Sequence, residues 1–219
     1  MAVRGKLIVL EGVEGAGKST QVRRLVSWLE GEGRAVLAVR EPGQTPVGDK
    51  VRTIVLHDAY EMAPRTEALL YMASRSELCE RVVRPALASG TTVIADRFFL
   101  STYAYQAAGR GLPEDEVRAA NRFATGGLVP DLTVLLDLAP AEGLLRAAKR
   151  GAHDRIERAS ADFHARVAEA FAHSAGRAWQ HAHPEAGPIV VVDGNGSEDV
   201  VFARVRDALA PMLQPAGVA

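Results

Sequence analysis

The sequence predicts an α/β fold, a parallel sheet with helices packed on both of its faces. Three observations predict it. Five short apolar runs, most of them rich in β-branched residues, recur along the chain; helical patterns separate them; and a glycine-rich loop ending in Lys18 and Ser19 joins the first run to the first helical pattern. Strands that alternate with helices form a parallel sheet, because each parallel crossover needs an intervening segment of helix length. The runs are largely continuous rather than alternating, as expected for strands covered on both sides.

The runs are Leu7–Leu10, Val36–Val39, Thr92–Ala95, Leu132–Leu138 and Ile189–Val192. The first helix is expected from Lys18 through Leu29, closing near Gly31 and Gly33, which suit a helix C-cap. A long helix is expected from about Thr66 to Leu87, with Pro85 near its end and Gly90 as a stop. Further helices are expected over Pro113–Ala124, Ala141–Lys149, Ala161–Ala182 and Glu198–Leu213. Ser197, Glu198 and Asp199 mark the start of the last one, since a hydroxyl and acidic groups favour a helix N-terminus. Repeats, heptads and dividing linkers are lacking, so residues 1–214 read as one domain and 215–219 as a disordered tail.

With 219 residues, 47% hydrophobic and 24% charged, the chain can bury a core without disulfides or a structural metal. The net charge of -1 supplies no global attraction to nucleic acid or anionic lipid. The single cysteine, Cys79, reads as a small buried apolar residue, and its solitude fits a reducing, cytoplasmic compartment. The run Leu7–Leu10 stops at Glu11, too short for a signal peptide or a membrane span. Asn195-Gly196-Ser197 matches a glycosylation sequon but reads as a turn.

Gly12-Val13-Glu14-Gly15-Ala16-Gly17-Lys18-Ser19 fits the phosphate-loop pattern G-x-x-x-x-G-K-[ST], with Thr20 following. Its glycines let backbone N–H groups turn inward around phosphate oxygens, and the helix N-terminus adds positive potential. Lys18 is expected at the β/γ-phosphates and the Ser19 hydroxyl on Mg²⁺. This establishes binding of a nucleoside triphosphate and leaves the reaction open.

Arginines narrow the choice. Transfer of a phosphoryl group between two anions is mostly positioning and charge neutralisation. Asp96-Arg97 follows the third strand, at the edge where open α/β sheets bind ligands. Asp96 there suits a Mg²⁺-bound water and Arg97 a bridge between donor and acceptor phosphates; the alternative is a surface ion pair. Arg40, Glu41 and Arg52 follow the second strand at the same edge, or are solvated surface. Tyr71 and Arg75 share a helix face that Leu78 and Val82 continue. They suit either a base stacked on the ring, or a core tyrosine beside a snorkelling arginine. Arg146, Lys149, Arg150, Arg155 and Arg158 form a basic segment around Gly151. It reads as a closing lid or as a solvated helix face. His153 within it reads as a surface residue, since an anionic phosphate acceptor needs no general base.

Taken together, these pieces resemble the bacterial thymidylate kinases, P-loop nucleoside monophosphate kinases, over nearly the whole chain. The resemblance rests on Glu11 through Thr20, Arg40-Glu41-Pro42-Gly43, Asp96-Arg97, Ser101-Thr102, Ala104-Tyr105-Gln106 and Gly109-Arg110-Gly111. It continues through Pro130-Asp131-Leu132-Thr133, Leu136-Asp137 and Asp154-Arg155-Ile156-Glu157. It implies a three-layer α/β/α fold with a five-stranded parallel sheet, a short lid at about 141–158, and a homodimer. It implies transfer of the γ-phosphoryl group of MgATP to dTMP, giving dTDP. By position it puts Glu14 near the acceptor sugar, with Arg97 and Arg52 on the acceptor phosphate and Glu41 nearby. Tyr71 would stack on thymine, Arg75 would meet a thymine carbonyl, and Thr102 and Gln106 would give further base contacts. The phosphate loop carries no arginine at its variable positions, so the lid would supply one from Arg146, Arg150 or Arg155. Four positions depart from the family pattern: Gln44 for a second glycine, Tyr71 for Phe, Ala148 for a lid arginine, and Phe171 for Tyr.

A kinase for another nucleotide or for a deoxynucleoside is the nearest competing reading, which the Tyr71, Arg75, Thr102 and Gln106 pocket would discriminate. A P-loop switch that hydrolyses ATP to change partners would have no use for an acceptor-phosphate clamp.

Overall fold

The computed structural model describes residues 4–57, 61–148 and 154–213. Five strands, β1 (Leu7–Glu11), β2 (Val36–Arg40), β3 (Thr92–Asp96), β4 (Leu132–Asp137) and β5 (Ile189–Asp193), form one parallel sheet in the order β2-β3-β1-β4-β5. β1 lies at the centre, and every one of its residues is buried. β2 and β5 are edge strands and leave part of each strand exposed, among them Val190 and Val191 on β5. Cover on both faces therefore holds for β1, β3 and most of β4. The edges have a neighbour on one side only.

Helix α1 (Lys18–Gly31) carries the chain from β1 to β2, and α10 (Glu198–Leu213) packs beside it. Helices α2 (Pro46–Leu56), α3 (Pro64–Leu78) and α4 (Arg84–Ala88) link β2 to β3, with wider π-type turns over Cys79–Val83 making α3 and α4 continuous. After β3 come α5 (Phe99–Thr102), extended by π-type turns over Tyr103–Gly109, and α6 (Glu114–Thr125). Helices α7 (Pro140–Ala148), α8 (Ala161–Ser174) and α9 (Arg177–Ala182) lie between β4 and β5. The first crossover runs toward β2 and the crossover after β3 runs the opposite way. Right-handed connections then put α1 and the α5–α6 segment on opposite faces. The loops after β1 and β3 diverge between adjacent strands, which opens a crevice at their C-terminal ends.

Two helical segments escaped the sequence reading. α2 begins with Thr45 accepting from Gly48 N at 2.9 Å, ahead of Pro46. The Phe99–Gly109 segment is buried nearly throughout, so it has no polar face to show a helical period. The helix expected over Ala161–Ala182 is broken at Gly176, whose extended backbone starts α9. Cys79 is buried as expected, and burial pushes its thiol up to about 12. Asn195 closes a turn as expected, its N–H donating to Asp193 Oδ1 at 2.9 Å. Lys149, Arg150, Gly151, His153 and the expected tail lie outside the described residues. No helix among the described residues is long and apolar enough to cross a membrane.

Candidate functional site

A cleft of about 500 Å³ opens at the C-terminal edge of the sheet. Its wall contains Glu14, Gly15 and Gly17–Thr20 from the phosphate loop, then Arg40, Glu41 and Arg52 after β2. Tyr71 and Arg75 come from α3, Asp96 and Arg97 from the end of β3, and Thr102, Tyr105 and Gln106 from the helix beyond. The acceptor-side residues of the sequence reading are thus gathered in one cavity with the loop lysine.

The loop itself is shaped by glycine. Gly12, Gly15 and Gly17 have φ of 142°, 72° and 92°, a region that side chains resist. Gly15 is also pressed against α7: a Cβ there would lie 1.9 Å from Gly143 O, and one on Gly143 would lie 2.2 Å from Glu14 O. The loop and the first turn of α7 touch backbone to backbone, and sequence reading passed over Gly143. Lys18 Nζ donates to Gly12 O at 3.0 Å and Val13 O at 2.8 Å. Burial, helped by the Arg97 charge, lowers its ammonium to about 8.

Ser19 Oγ donates to Asp96 Oδ2, which joins the start of α1 to the end of β3. Asp96 is buried and does not pair with Arg97, so the surface-pair reading is set aside. Among the described residues there is no cluster of three or more His, Cys, Asp or Glu able to cage a metal. One hydroxyl and one carboxylate at a phosphate loop fit Mg²⁺, which keeps waters and takes its other oxygens from a nucleotide.

Arg97 adopts φ of 72°, unusual for a residue with a side chain. Its guanidinium donates to Gly12 O at 3.3 Å, Ser101 Oγ at 3.1 Å and Glu14 Oε1 at 2.5 Å, and lies 4.8 Å from the centroid of the Tyr105 ring. Burial would lower its pKa, but the charges of Glu14, Tyr105, Glu11 and Asp96 together outweigh it and the group is held cationic. Glu11, at the end of β1, holds the neighbouring backbone in place. One oxygen accepts from Phe98 N at 2.9 Å and Ser101 N at 3.0 Å, and the other from Ser101 Oγ at 2.6 Å. Sequence reading took Glu11 only as part of a motif.

Arg75 is 2% exposed, which excludes the snorkelling arrangement. Its Nε donates to Glu41 Oε2 at 2.7 Å, Nη1 to Thr102 Oγ1 at 2.7 Å and to Asn121 Oδ1, and Nη2 to Phe98 O at 2.9 Å. Burial raises the Glu41 carboxyl above its usual range against the pull of Arg75. Tyr71, one turn earlier, is half-buried on the cleft wall, and its hydroxyl bonds to no described residue. Arg52 Nη1 donates to Pro42 O at 3.0 Å. Its pKa is lowered by burial and by the Arg40 charge beside it, against the pull of Asp154 and Asp96.

A family model described as thymidylate kinase matches residues 10–192. This chain belongs to the thymidylate kinase family. It is 48% identical over 207 residues to the thymidylate kinase of Deinococcus radiodurans, covering 94% of this chain and 97% of that protein. It is 47% identical over 214 residues to the thymidylate kinase of Clavibacter sepedonicus, covering 97% of this chain and 98% of that one. The five-stranded parallel sheet implied by the motif resemblance is the sheet observed.

Two of the expected lid arginines bond to groups outside the cleft. Arg146 Nε donates to Glu142 Oε1 at 2.9 Å and its Nη1 to Gly194 O at 3.3 Å, toward the loop after β5. Arg155 Nη2 donates to Glu67 Oε2 at 2.6 Å and its Nε to Val55 O at 2.9 Å. Neither lines the cleft, because each finds acceptors outside it. Arg150 lies outside the described residues. Glu67 and Asn121 were missed although both are fully buried polar groups. Glu67 was legible in one respect: with Tyr71 and Arg75 it makes an i, i+4, i+8 row on α3.

Proposed function

We infer that this chain transfers the γ-phosphoryl group of ATP to dTMP, giving dTDP and ADP, and that its site acts with Mg²⁺. The observation that carries the reading is Arg97. It is bonded on one side to the phosphate loop through Gly12 O and on the other to Ser101, beside Thr102 and near Gln106. An arginine so held stands where a donor triphosphate and an acceptor monophosphate would meet.

In this reading the phosphate loop, Gly12 through Thr20, cradles the triphosphate with its backbone N–H groups, and Lys18 neutralises the β/γ oxygens. Arg97 and Arg52 hold the acceptor phosphate. An oxygen of that phosphate attacks the γ-phosphorus while the bond to the β–γ bridging oxygen breaks, so ADP leaves with the electron pair. The attacking oxygen is already anionic, and no general base is called on. Ser19 and Asp96 are the groups that would hold Mg²⁺, which neutralises phosphate charge when bound. Tyr71 offers a face to the pyrimidine, Arg75, Thr102 and Gln106 meet its edge, and Glu14 and Glu41 shape the pocket around them. The transition-state charge is assigned to Lys18 and Arg97, with a lid arginine drawn from Arg146, Arg150 and Arg155.

We read the protein as a cytoplasmic homodimer. Support for the dimer comes from one set of neighbouring helices. Val47 and Ile54 on α2, Leu69 on α3 and Phe123 on α6 are exposed, Phe123 at 88%, and α3 packs against both other helices.

The test mixes the protein with MgATP and each of dTMP, dUMP, dGMP, dAMP and dCMP, following ADP and the nucleoside diphosphate. Rapid dTDP formation with little product from purines is expected. ADP released equally with and without an acceptor would overturn the reading.

A further inference from the structure

Gln106 has one side-chain hydrogen bond to the protein among the described residues, and it runs the informative way. Its Nε2 donates to Glu67 Oε1 at 2.9 Å. Glu67 is 0% exposed, on α3. Its Oε1 also receives Arg110 Nε at 3.2 Å, while Oε2 receives Arg110 Nη2 at 3.0 Å and Arg155 Nη2 at 2.6 Å. Burial alone would raise this carboxyl. The bonds from Arg110, Gln106 and Arg155 outweigh it and hold the group below the usual carboxylate range.

An ionised carboxylate only accepts hydrogen bonds. The amide of Gln106 must therefore turn its NH₂ toward Glu67, and the network, rather than the fit of two similar atoms, decides the orientation. The other end of the amide, Oε1, is then the end left for the cleft, whose wall includes Gln106.

We propose that Glu67 is a specificity-positioning residue: by fixing the Gln106 amide, it makes the cleft offer a hydrogen-bond acceptor to the ring nitrogen of the base. Thymine and uracil carry N3–H and satisfy that acceptor. Cytosine presents a bare N3, and two lone pairs then face each other in a buried site. A polar site left unpaired by the wrong ring discriminates far more strongly than one that merely loses a methyl contact. Glu67 touches no base in this account and acts only through Gln106. The proposal rests on the pyrimidine monophosphate reading above.

The Glu67→Gln variant tests it. A glutamine at this position can donate as well as accept, so Gln106 becomes free to flip and present its NH₂ to the cleft. The expected result is a fall of at least about tenfold in the ratio of kcat/KM for dTMP over dCMP, with dCMP use rising in absolute terms. Arg110→Lys keeps a cation beside Glu67, so the carboxylate stays ionised and the Gln106 bond is retained, and it is expected to keep the wild-type ratio. If Glu67→Gln turns over dTMP with that ratio unchanged, the proposal is overturned while the kinase reading stands. If the wild-type protein makes no dTDP, the reading itself fails.

Should Glu67→Gln not fold, NMR of the wild type gives a second measurement. The Gln106 Nε2 protons are expected to exchange slowly and to keep their contact with Glu67 when dTMP is added. Contacts from those protons to the added base would overturn the proposal.

Discussion

Arg97 and Glu14 form an ion pair of 2.5 Å in the wall of the cleft, joining the end of β3 to the phosphate loop. Both partners are about five-sixths buried, at 16% and 18% exposure, so the charge is held against the loop and not released to solvent. An acceptor phosphate would compete with Glu14 for the same guanidinium. Arg97→Ala should therefore lower kcat by at least about a thousandfold while MgATP affinity changes little. Single-turnover kinetics alongside calorimetric titration of MgATP would check this. Near-normal turnover would remove Arg97 from the chemistry.

Lys18 supplies a pH dependence. Its ammonium is lowered to about 8 by burial and by Arg97, and the ammonium is the form that meets phosphate. Affinity for ATP should be fully present on the acid side of 8. It should weaken as pH rises past it, by at most about tenfold per pH unit for a single proton. Lys18→Arg should flatten that profile, because a guanidinium does not titrate in this range. An ATP affinity that stays level through pH 9 in the unmodified protein would contradict the assignment.

Gly143 has no side chain to contribute, yet the loop depends on it. A Cβ there would lie 2.2 Å from Glu14 O, inside any permitted contact. Gly143→Ala should cost about 1–3 kcal/mol, or roughly 2–10 °C in Tm, and should raise KM for ATP more than KM for dTMP. A thermal scan and a pair of saturation curves would decide it. An alanine variant with unchanged Tm would mean that α7 can move off the loop at no cost.

The exposed faces of α2, α3 and α6 bear on assembly. Leu69 is 64% and Phe123 88% exposed in the single chain. The double variant Leu69→Asp, Phe123→Asp should run as a monomer in light scattering coupled to size exclusion, with the parent running as a dimer. A parent that is itself monomeric would refute the dimer.

Much of the fold could be read from local pattern. β1, β3 and β4 announced themselves as unbroken apolar runs, because a central strand buries both faces and has no polar residues to alternate. The loop from Gly12 to Ser19 was equally plain, since its glycines meet a backbone requirement set within eight residues. The segment Phe99–Gly109 was not legible, because a helix buried on all sides carries no amphipathic period. α2 was missed although Thr45 and Pro46 begin it with an ordinary cap. Gly176, read through as helix, divides α8 from α9 because its backbone is extended there.

The candidate site divides in the same way. Local sequence carried the residue types: a lysine and a hydroxyl in a glycine loop, an Asp–Arg pair after a strand, and an aromatic and an arginine four apart on a helix. These are relations between near neighbours in the chain, and near neighbours are placed by helix and strand geometry alone. What each charge faces is set by the folded layers. Arg75 meets Glu41, Thr102 and Asn121, and Arg155 meets Glu67 rather than the cleft. Those partners stand 27 to 88 residues apart. A buried charge must find whatever acceptor the packing brings to it, and packing is a property of the assembled layers, which no local stretch of sequence carries.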